Sequence, residues 1–336
     1  MKKKVLTYFI ILAFIALFLL EAFLAFMYYV PSCTIHPFDN YMYNIYLLVF
    51  RNVIQYDKEC ACYDPEISYK LRRGECTFSN VEFSNIFHIN SLGVRDDEDS
   101  LISPHIIIAG DSEAMGWGVG QDETYAEIIE KRTGKRVLNA AVSSYGTVRE
   151  VRILNSVDTS NLKYLIIHYK KNDLLENMIY YSNNNSLEIM SEKKYNTLVS
   201  SHDRWKKYYP GKYTVFFLKL LAKSILFEKF DFPKTEGLSC ISIEAEAMFF
   251  LNAILGEAHF TLSGVDIIVL GEETFLKALN QEMQSHEYPD YIRRIITLNE
   301  LDNIDDSCTY KRDEHLNAKG HRIIADNILI FINSAY

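Results

Sequence analysis

The chain has 336 residues and a formal net charge of −9, with room for one large α/β domain with an insertion or for a domain and a half. The acidic balance, with no basic stripe and no nucleic-acid motif, argues against a nucleic-acid partner. Residues 5–30 are almost wholly apolar, with one charge at Glu21, and a bilayer's hydrocarbon core needs about 20 such residues. Lys2, Lys3 and Lys4 precede this run and the next Lys or Arg is Arg51. The positive-inside rule therefore predicts a cytoplasmic N-terminus, one span through the inner membrane and an extracytoplasmic remainder. A cleavable signal peptide is the alternative. The run exceeds a usual signal core and no A-x-A site follows it, which favours an uncleaved signal anchor over residues 1–30.

All six cysteines (Cys33, Cys60, Cys62, Cys76, Cys240 and Cys308) fall on the exported side, where an even count suggests disulfides. Cys60, Cys62 and Cys76 cluster, so a local staple is expected there, and Cys240 with Cys308 is a candidate second pair. The Cys-x-Cys spacing lacks the two paired ligands of a zinc site, and no metal or organic cofactor is expected. Residues 31–85 are rich in Tyr, Asn and Asp without a sustained period and read as an extracytoplasmic connector.

From residue 86 to 336 the pattern changes. Strand-like runs at 105–109, 136–138, 164–168, 265–270 and, less regularly, 294–298 alternate with helical patterns at 124–132, 147–155 and 240–259. Residues 316–334 read as a closing helix. Such alternation predicts a parallel sheet covered by helices on both faces. Residues 174–239 interrupt it: a polar opening leads to an aromatic, basic stretch with Phe217, Leu220, Leu221, Ile225 and Leu226 at helical spacing. This is a helical insertion: a plain excursion with a solvated Lys face, a lid over the site, or a surface resting on lipid headgroups.

The most informative segment is IIIAGDSEAMGWGV at 106–119. A buried-strand pattern ends in Gly110-Asp111-Ser112, and ligands of open α/β sheets bind beyond the carboxyl ends of such strands. The alternative is a turn with Asp111 or Ser112 capping a helix. VLNAAVSSYGT (137–147), YLIIHYKKND (164–173) and DEHLNAKGH (313–321) follow in order. Together the four blocks resemble the SGNH (GDSL-type) hydrolase family. INSLGVRDDED and GWGVGQDETYAEII resemble its envelope-anchored members, several of which are carbohydrate O-acyltransferases or deacetylases. The resemblance covers roughly residues 86–180 and 240–330.

The resemblance implies an SGNH-like (flavodoxin-like) three-layer α/β sandwich with a parallel central sheet, preceded by one transmembrane helix. It implies Ser112 as nucleophile, His315 as base and Asp313 as its orienting acid, with Asp305 and Asp306 as substitutes. The oxyanion hole would be formed by Ser112, Ser144 and Asn172. The chain departs from the family twice. The acid most often stands three residues before the base, where this chain has Arg312. Ser144 occupies the position of the oxyanion glycine, with Gly146 two residues on. Glu113 and Trp117 flank the nucleophile, and Trp117 is expected in the core or pocket wall. Asn90 and Arg95 are expected to tie a turn, and Asn139 to brace the loop presenting Ser112. Lys170 and Lys171 would narrow the pocket or favour an anionic substrate. The function implied is an esterase on acylated glycan or small-molecule esters. The alternatives are an O-acyltransferase, or a non-catalytic scaffold or glycan-binding module.

Overall fold

The computed structural model describes residues 2–33, 38–226 and 241–334. Helix α1 (Lys2–Tyr29) contains the apolar span, Lys4–Tyr29, the one helix among the described residues long and apolar enough to cross a membrane. A short helix α2 (Phe38–Ile45) follows. Two antiparallel hairpins come next, β1 (Ala61–Asp64) with β2 (Ser68–Leu71) and β3 (Gly74–Ser79) with β4 (Ser84–Ile89).

The α/β part runs β5 (Ile106–Gly110), α3 (Ser112–Met115), α4 (Tyr125–Thr133), β6 (Val137–Asn139), α5 (Thr147–Leu154) and β7 (Tyr164–His168). The insertion then supplies α6 (Leu174–Ser182), α7 (Glu192–Lys206) and α8 (Lys212–Leu226). It continues with α9 (Ile243–Glu257), β8 (Asp266–Gly271), α10 (Glu273–Ser285), α11 (Asp290–Arg293), β9 (Ile296–Asn299) and α12 (Ala318–Ser334).

Five strands form one parallel sheet in the order β6-β5-β7-β8-β9. The chain reverses its direction across the sheet once, after β6. Right-handed connections then put α4 on one face and the later crossover helices on the other. The contacts agree: α4 packs against α12, while α5, α6 and α10 gather around α9. This is the expected three-layer sandwich, with its switch point beside β5. Ile106, Ile107 and Ile108 are fully buried, each worth about 1.5–3 kcal/mol of transfer free energy. Local signals set the helix ends: Thr124 accepts a hydrogen bond from Glu127 N at 3.2 Å, and Gly134 closes α4 with φ +62°.

Residues 31–85 differ from a connector. Phe78 and Phe87 are fully buried, and Phe78 meets the Trp117 ring edge-on at 4.7 Å. The hairpins therefore share the core of the sheet domain, and a boundary at residue 86 falls inside β4. Short strands with Gly and polar turns carry too little alternation to show as a period. The insertion braces the same segment. From α7, Tyr195 donates to Gln55 O at 2.9 Å and Lys206 pairs with Asp57 at 2.9 Å.

Cys60 and Cys76 form a disulfide joining the two hairpins, whereas Cys62 and the buried Cys308 are free thiols. Cys240, the suggested partner of Cys308, lies outside the described residues. Closing a loop of this size removes denatured-state entropy worth about 3 kcal/mol. Cys76→Ser is thus expected to lose about 2–4 kcal/mol in denaturant melts. A non-reducing digest should link residues 60 and 76, and an unchanged melt with free Cys60 would contradict the staple.

Candidate active site

Ser112 begins α3 directly after β5, at the carboxyl edge of the sheet. Gly110 has φ +153°, and a Cβ there would stand 2.7 Å from that of Ala114. Only glycine lets the strand turn into the helix this tightly. Asp111 caps α3, accepting from Glu113 N at 3.0 Å. Asn139 holds the same turn through Ala114 O at 3.2 Å, as its position in the motif suggested. Arg95, fully buried, donates to the carbonyls of Met115, Gly116 and Val119. It ties the Gly-rich turn after the serine.

The structure brings Ser112, His315 and Asp313 together across 203 residues of chain. Ser112 Oγ lies 2.8 Å from His315 Nε2, and His315 Nδ1 lies 2.5 Å from Asp313 Oδ1. With Nδ1–H donating to the carboxylate, Nε2 faces the hydroxyl as an acceptor, the tautomer a general base requires. The imidazole stacks on Trp117, rings 5.0 Å apart. Glu113 Oε2 accepts from Leu316 N at 3.1 Å, fastening the histidine loop to the serine helix. Asp305 instead caps a 3-10 turn and pairs with Lys319 at 3.2 Å, and Asp306 begins that turn.

Four residues that sequence reasoning left in the connector reach this site. Tyr46 donates its O–H to Asp313 Oδ2. Arg51 Nη2 lies 3.5 Å from Asp313 Oδ1 and 3.3 Å from His315 Nδ1, with its guanidinium over Trp117. The Glu82 carboxylate accepts the backbone N–H groups of Lys311, Arg312 and Asp313 at 2.8–2.9 Å. Gln55 donates to Ser144 Oγ at 2.9 Å. None lies in a repeating pattern, so the sequence offered no signal for them beyond their residue type. Burial alone would raise the Asp313 carboxyl. The hydrogen bond and charge of His315, the Arg51 cation and the Tyr46 hydroxyl outweigh it and hold the group below the ordinary carboxylate value. Tyr46 itself is kept protonated, first by burial and then by the Asp313 charge.

Ser144 follows β6 with φ +61°, a left-handed conformation costing about 1–2 kcal/mol for a residue with a side chain. Gln55 on its hydroxyl and Arg149 Nη2 on its carbonyl, at 3.1 Å, hold it there. The backbone N–H groups of Ser112 and Ser144 donate no hydrogen bond among the described residues. Asn172 follows β7 and spends one amide N–H on Asp111 Oδ2, at 3.0 Å, leaving the other. Ser144 and Asn172 also line an open crevice of about 420 Å³ with Tyr145, Arg149, Glu176 and Leu175. Ser112 and His315 are not part of its lining. Arg149 and Glu176 pair across its wall.

Lys170 does not reach into a pocket. Its Nζ pairs with Glu300 at 3.1 Å, and His168 Nε2 meets the other oxygen at 2.7 Å. Burial would raise the Glu300 carboxyl, but these two partners bring it down to about 2. Lys171 is exposed at the start of the turn bearing Asn172.

No family model and no curated protein matches this chain. Solved structures similar to it include one described as a GDSL-like lipase from Bacteroides ovatus, with 10% identity and a TM-score of 0.36. That match covers 69% of this chain and 53% of the other. Another is the salicylyl-acyltransferase SsfX3 from a tetracycline biosynthetic pathway (10%, TM-score 0.38, 69% and 55% covered). A third is a family two carbohydrate esterase from Cellvibrio japonicus (10%, TM-score 0.35, 69% and 62% covered). The chain thus spans about half to three fifths of their length, and the functional reading rests on its own residues.

The contacts of Asp313 give a test independent of any activity. Because its folded-state pKa is depressed, the group adds stability above its unfolded value, and that stability is lost as pH falls through the folded value. Carbon-detected NMR of Asp313 should show a midpoint below that of an ordinary Asp. Arg51→Gln and Tyr46→Phe should each raise it. A midpoint unmoved by both substitutions would show that the two side chains do not act on the carboxylate.

Proposed function

We propose that this chain is an SGNH-type serine esterase, anchored in the inner membrane through residues 5–30 with its catalytic domain outside the cytoplasm. In this reading it acts on acyl esters of the cell envelope, O-acylated carbohydrate foremost. The observation that supports it is the hydrogen-bonded chain from Ser112 through His315 to Asp313, set beside the unengaged N–H groups of Ser112 and Ser144.

In the reaction, Ser112 Oγ attacks the ester carbonyl while His315 Nε2 takes its proton. Asp313 stabilises the imidazolium. The oxyanion is received by the N–H groups of Ser112 and Ser144 and the remaining N–H of Asn172. Collapse breaks the bond to the alcohol, which leaves with the proton from His315, and an acyl-serine remains. Water, deprotonated by His315, then attacks the acyl carbon and releases the acid. A sugar hydroxyl in place of water makes the same site a transferase. The crevice beside Ser144 and Asn172 gives an acceptor somewhere to sit, which is the observation favouring this second reading. The hydroxyl and imidazole at 2.8 Å favour either catalytic reading over a binding module. No step runs through a metal or an organic cofactor.

Ser112→Ala and His315→Ala are each expected to lower turnover of a small acyl ester roughly a thousandfold or more, with the fold retained. Asn172→Ala should cost about a hundredfold, since one oxyanion donor is worth about 3 kcal/mol. Near-normal turnover in Ser112→Ala would remove the acyl-serine route. Free acid released at the same rate with and without a sugar acceptor identifies a hydrolase. Acylated sugar formed at the expense of free acid identifies a transferase.

A further inference from the structure

Residues 4–19 of α1 are exposed on every face, whereas Leu24, Met27 and Tyr28 are buried against α2 and α8. Twenty helical residues counted from Lys4 rise about 30 Å, the thickness of a hydrocarbon core, and end near Phe23. The last turns of α1 therefore stand at headgroup depth. Two sets of contacts tie other elements to this level. Glu21 accepts from the N–H groups of Tyr213 and Thr214, at 3.2 and 2.8 Å, and from the Thr214 hydroxyl at 2.7 Å. A carboxylate thus caps the start of α8 close to the edge of the hydrocarbon. Higher up, Arg312 donates to Met27 O at 3.3 Å, and the next residue is Asp313. The acid–base loop is fastened to α1 about 6 Å beyond Phe23, at 1.5 Å per residue.

The surface around this junction is apolar and aromatic. Val215 and Leu218 of α8 are exposed, beside the face on which Phe217 and Leu220 pack toward α1. Tyr208 and Tyr209, in the turn before α8, and Tyr29, at the end of α1, are exposed as well. Tyrosines collect at the interface between hydrocarbon and water, where ring and hydroxyl are both satisfied. A helix with one face packed on protein and apolar side chains bared next to a spanning helix has the bilayer as its natural neighbour.

We propose that α8 lies in the outer headgroup layer of the membrane crossed by α1, and that Ser112 takes esters presented by a membrane-borne molecule. This rests on the anchored-esterase reading above. The cluster of α1, α2 and α8 sets the height of the Asp313 loop, so the serine opens close to the lipid surface. An ester carried on a lipid reaches it by lateral diffusion, without leaving the bilayer.

The full chain in nanodiscs of phosphatidylethanolamine and phosphatidylglycerol tests this. An environment-sensitive fluorescent amino acid is placed, in separate proteins, at position 12, 218 or 102, and quenching by brominated lipid chains is measured. Quenching at 12 and 218 but not at 102, which precedes β5 at the far edge of the sheet, is the expected result. Quenching at 12 alone overturns the placement of α8 and leaves the anchor standing, and its absence at 12 overturns the anchor itself. A second readout uses two fluorophosphonates, one water-soluble and one linked to a dialkylglycerol. Val215→Glu with Leu218→Glu should slow labelling of Ser112 by the lipid-borne probe about tenfold and change the soluble probe's rate by less than about twofold. Equal rates for the lipid-borne probe in both proteins overturn the membrane-borne substrate. Failure of the lipid-borne probe alone to label wild-type Ser112 overturns the membrane-borne substrate, and failure of both probes overturns the esterase reading.

Discussion

One carboxylate, that of Asp313, gathers contacts from parts of the chain that are remote in sequence. Its Oδ1 receives His315 Nδ1 at 2.5 Å, and Arg51 approaches the same oxygen at 3.5 Å. Its Oδ2 receives the Tyr46 hydroxyl, and its backbone N–H is taken by Glu82 at 2.9 Å. A buried anion is costly unless its lone pairs are satisfied. His315, Arg51 and Tyr46 together favour the charged carboxylate beneath the imidazole, and Glu82 holds its backbone in place. The segment after α2, the second hairpin and the closing loop of the sheet domain are thereby bound to one arrangement.

The same requirement explains why the hairpins belong to the domain. Glu82 sits in the turn between β3 and β4 and accepts three successive backbone donors of the 311–313 loop. The Cys60–Cys76 disulfide and the packing of Phe78 on Trp117 hold that turn still. Trp117 in turn stacks on His315. The hairpins thus help set the position of the imidazole, so that with Asp313 two residues before it His315 still faces Ser112 through Nε2.

The sheet was legible because its strands are short apolar runs, four of the five ended by Gly or Asn. Tyr164–His168 was placed to the residue and the other strands within about two residues. Ser112, His315, Asp313, Ser144 and Asn172 were legible through their motifs; in the structure Ser112, His315 and Asp313 form one hydrogen-bonded chain, and Ser144 and Asn172 line the open crevice. The hairpins, α7 and α10 were missed. Hairpin strands of four to six residues do not sustain a period, and α7 is too polar to show a face. Tyr46, Arg51, Gln55 and Glu82 were missed for another reason: they act through tertiary contacts spanning 89 to 267 residues, which no local pattern encodes. Ser144 shows the two levels together. Its departure from glycine was visible in the sequence, and the support that lets it hold φ +61° comes from Gln55, which was not.

The central claim is that Ser112, driven by His315 and Asp313, carries the acyl group covalently. It is tested most directly by mixing the full chain with a slowly deacylating ester, quenching in acid and weighing its peptides. The account predicts an acyl adduct on the peptide bearing Ser112, absent in Ser112→Ala and formed far more slowly in Asp313→Asn. Ester turnover with that peptide unmodified, or an adduct that forms as fast in Asp313→Asn as in the wild type, would contradict it.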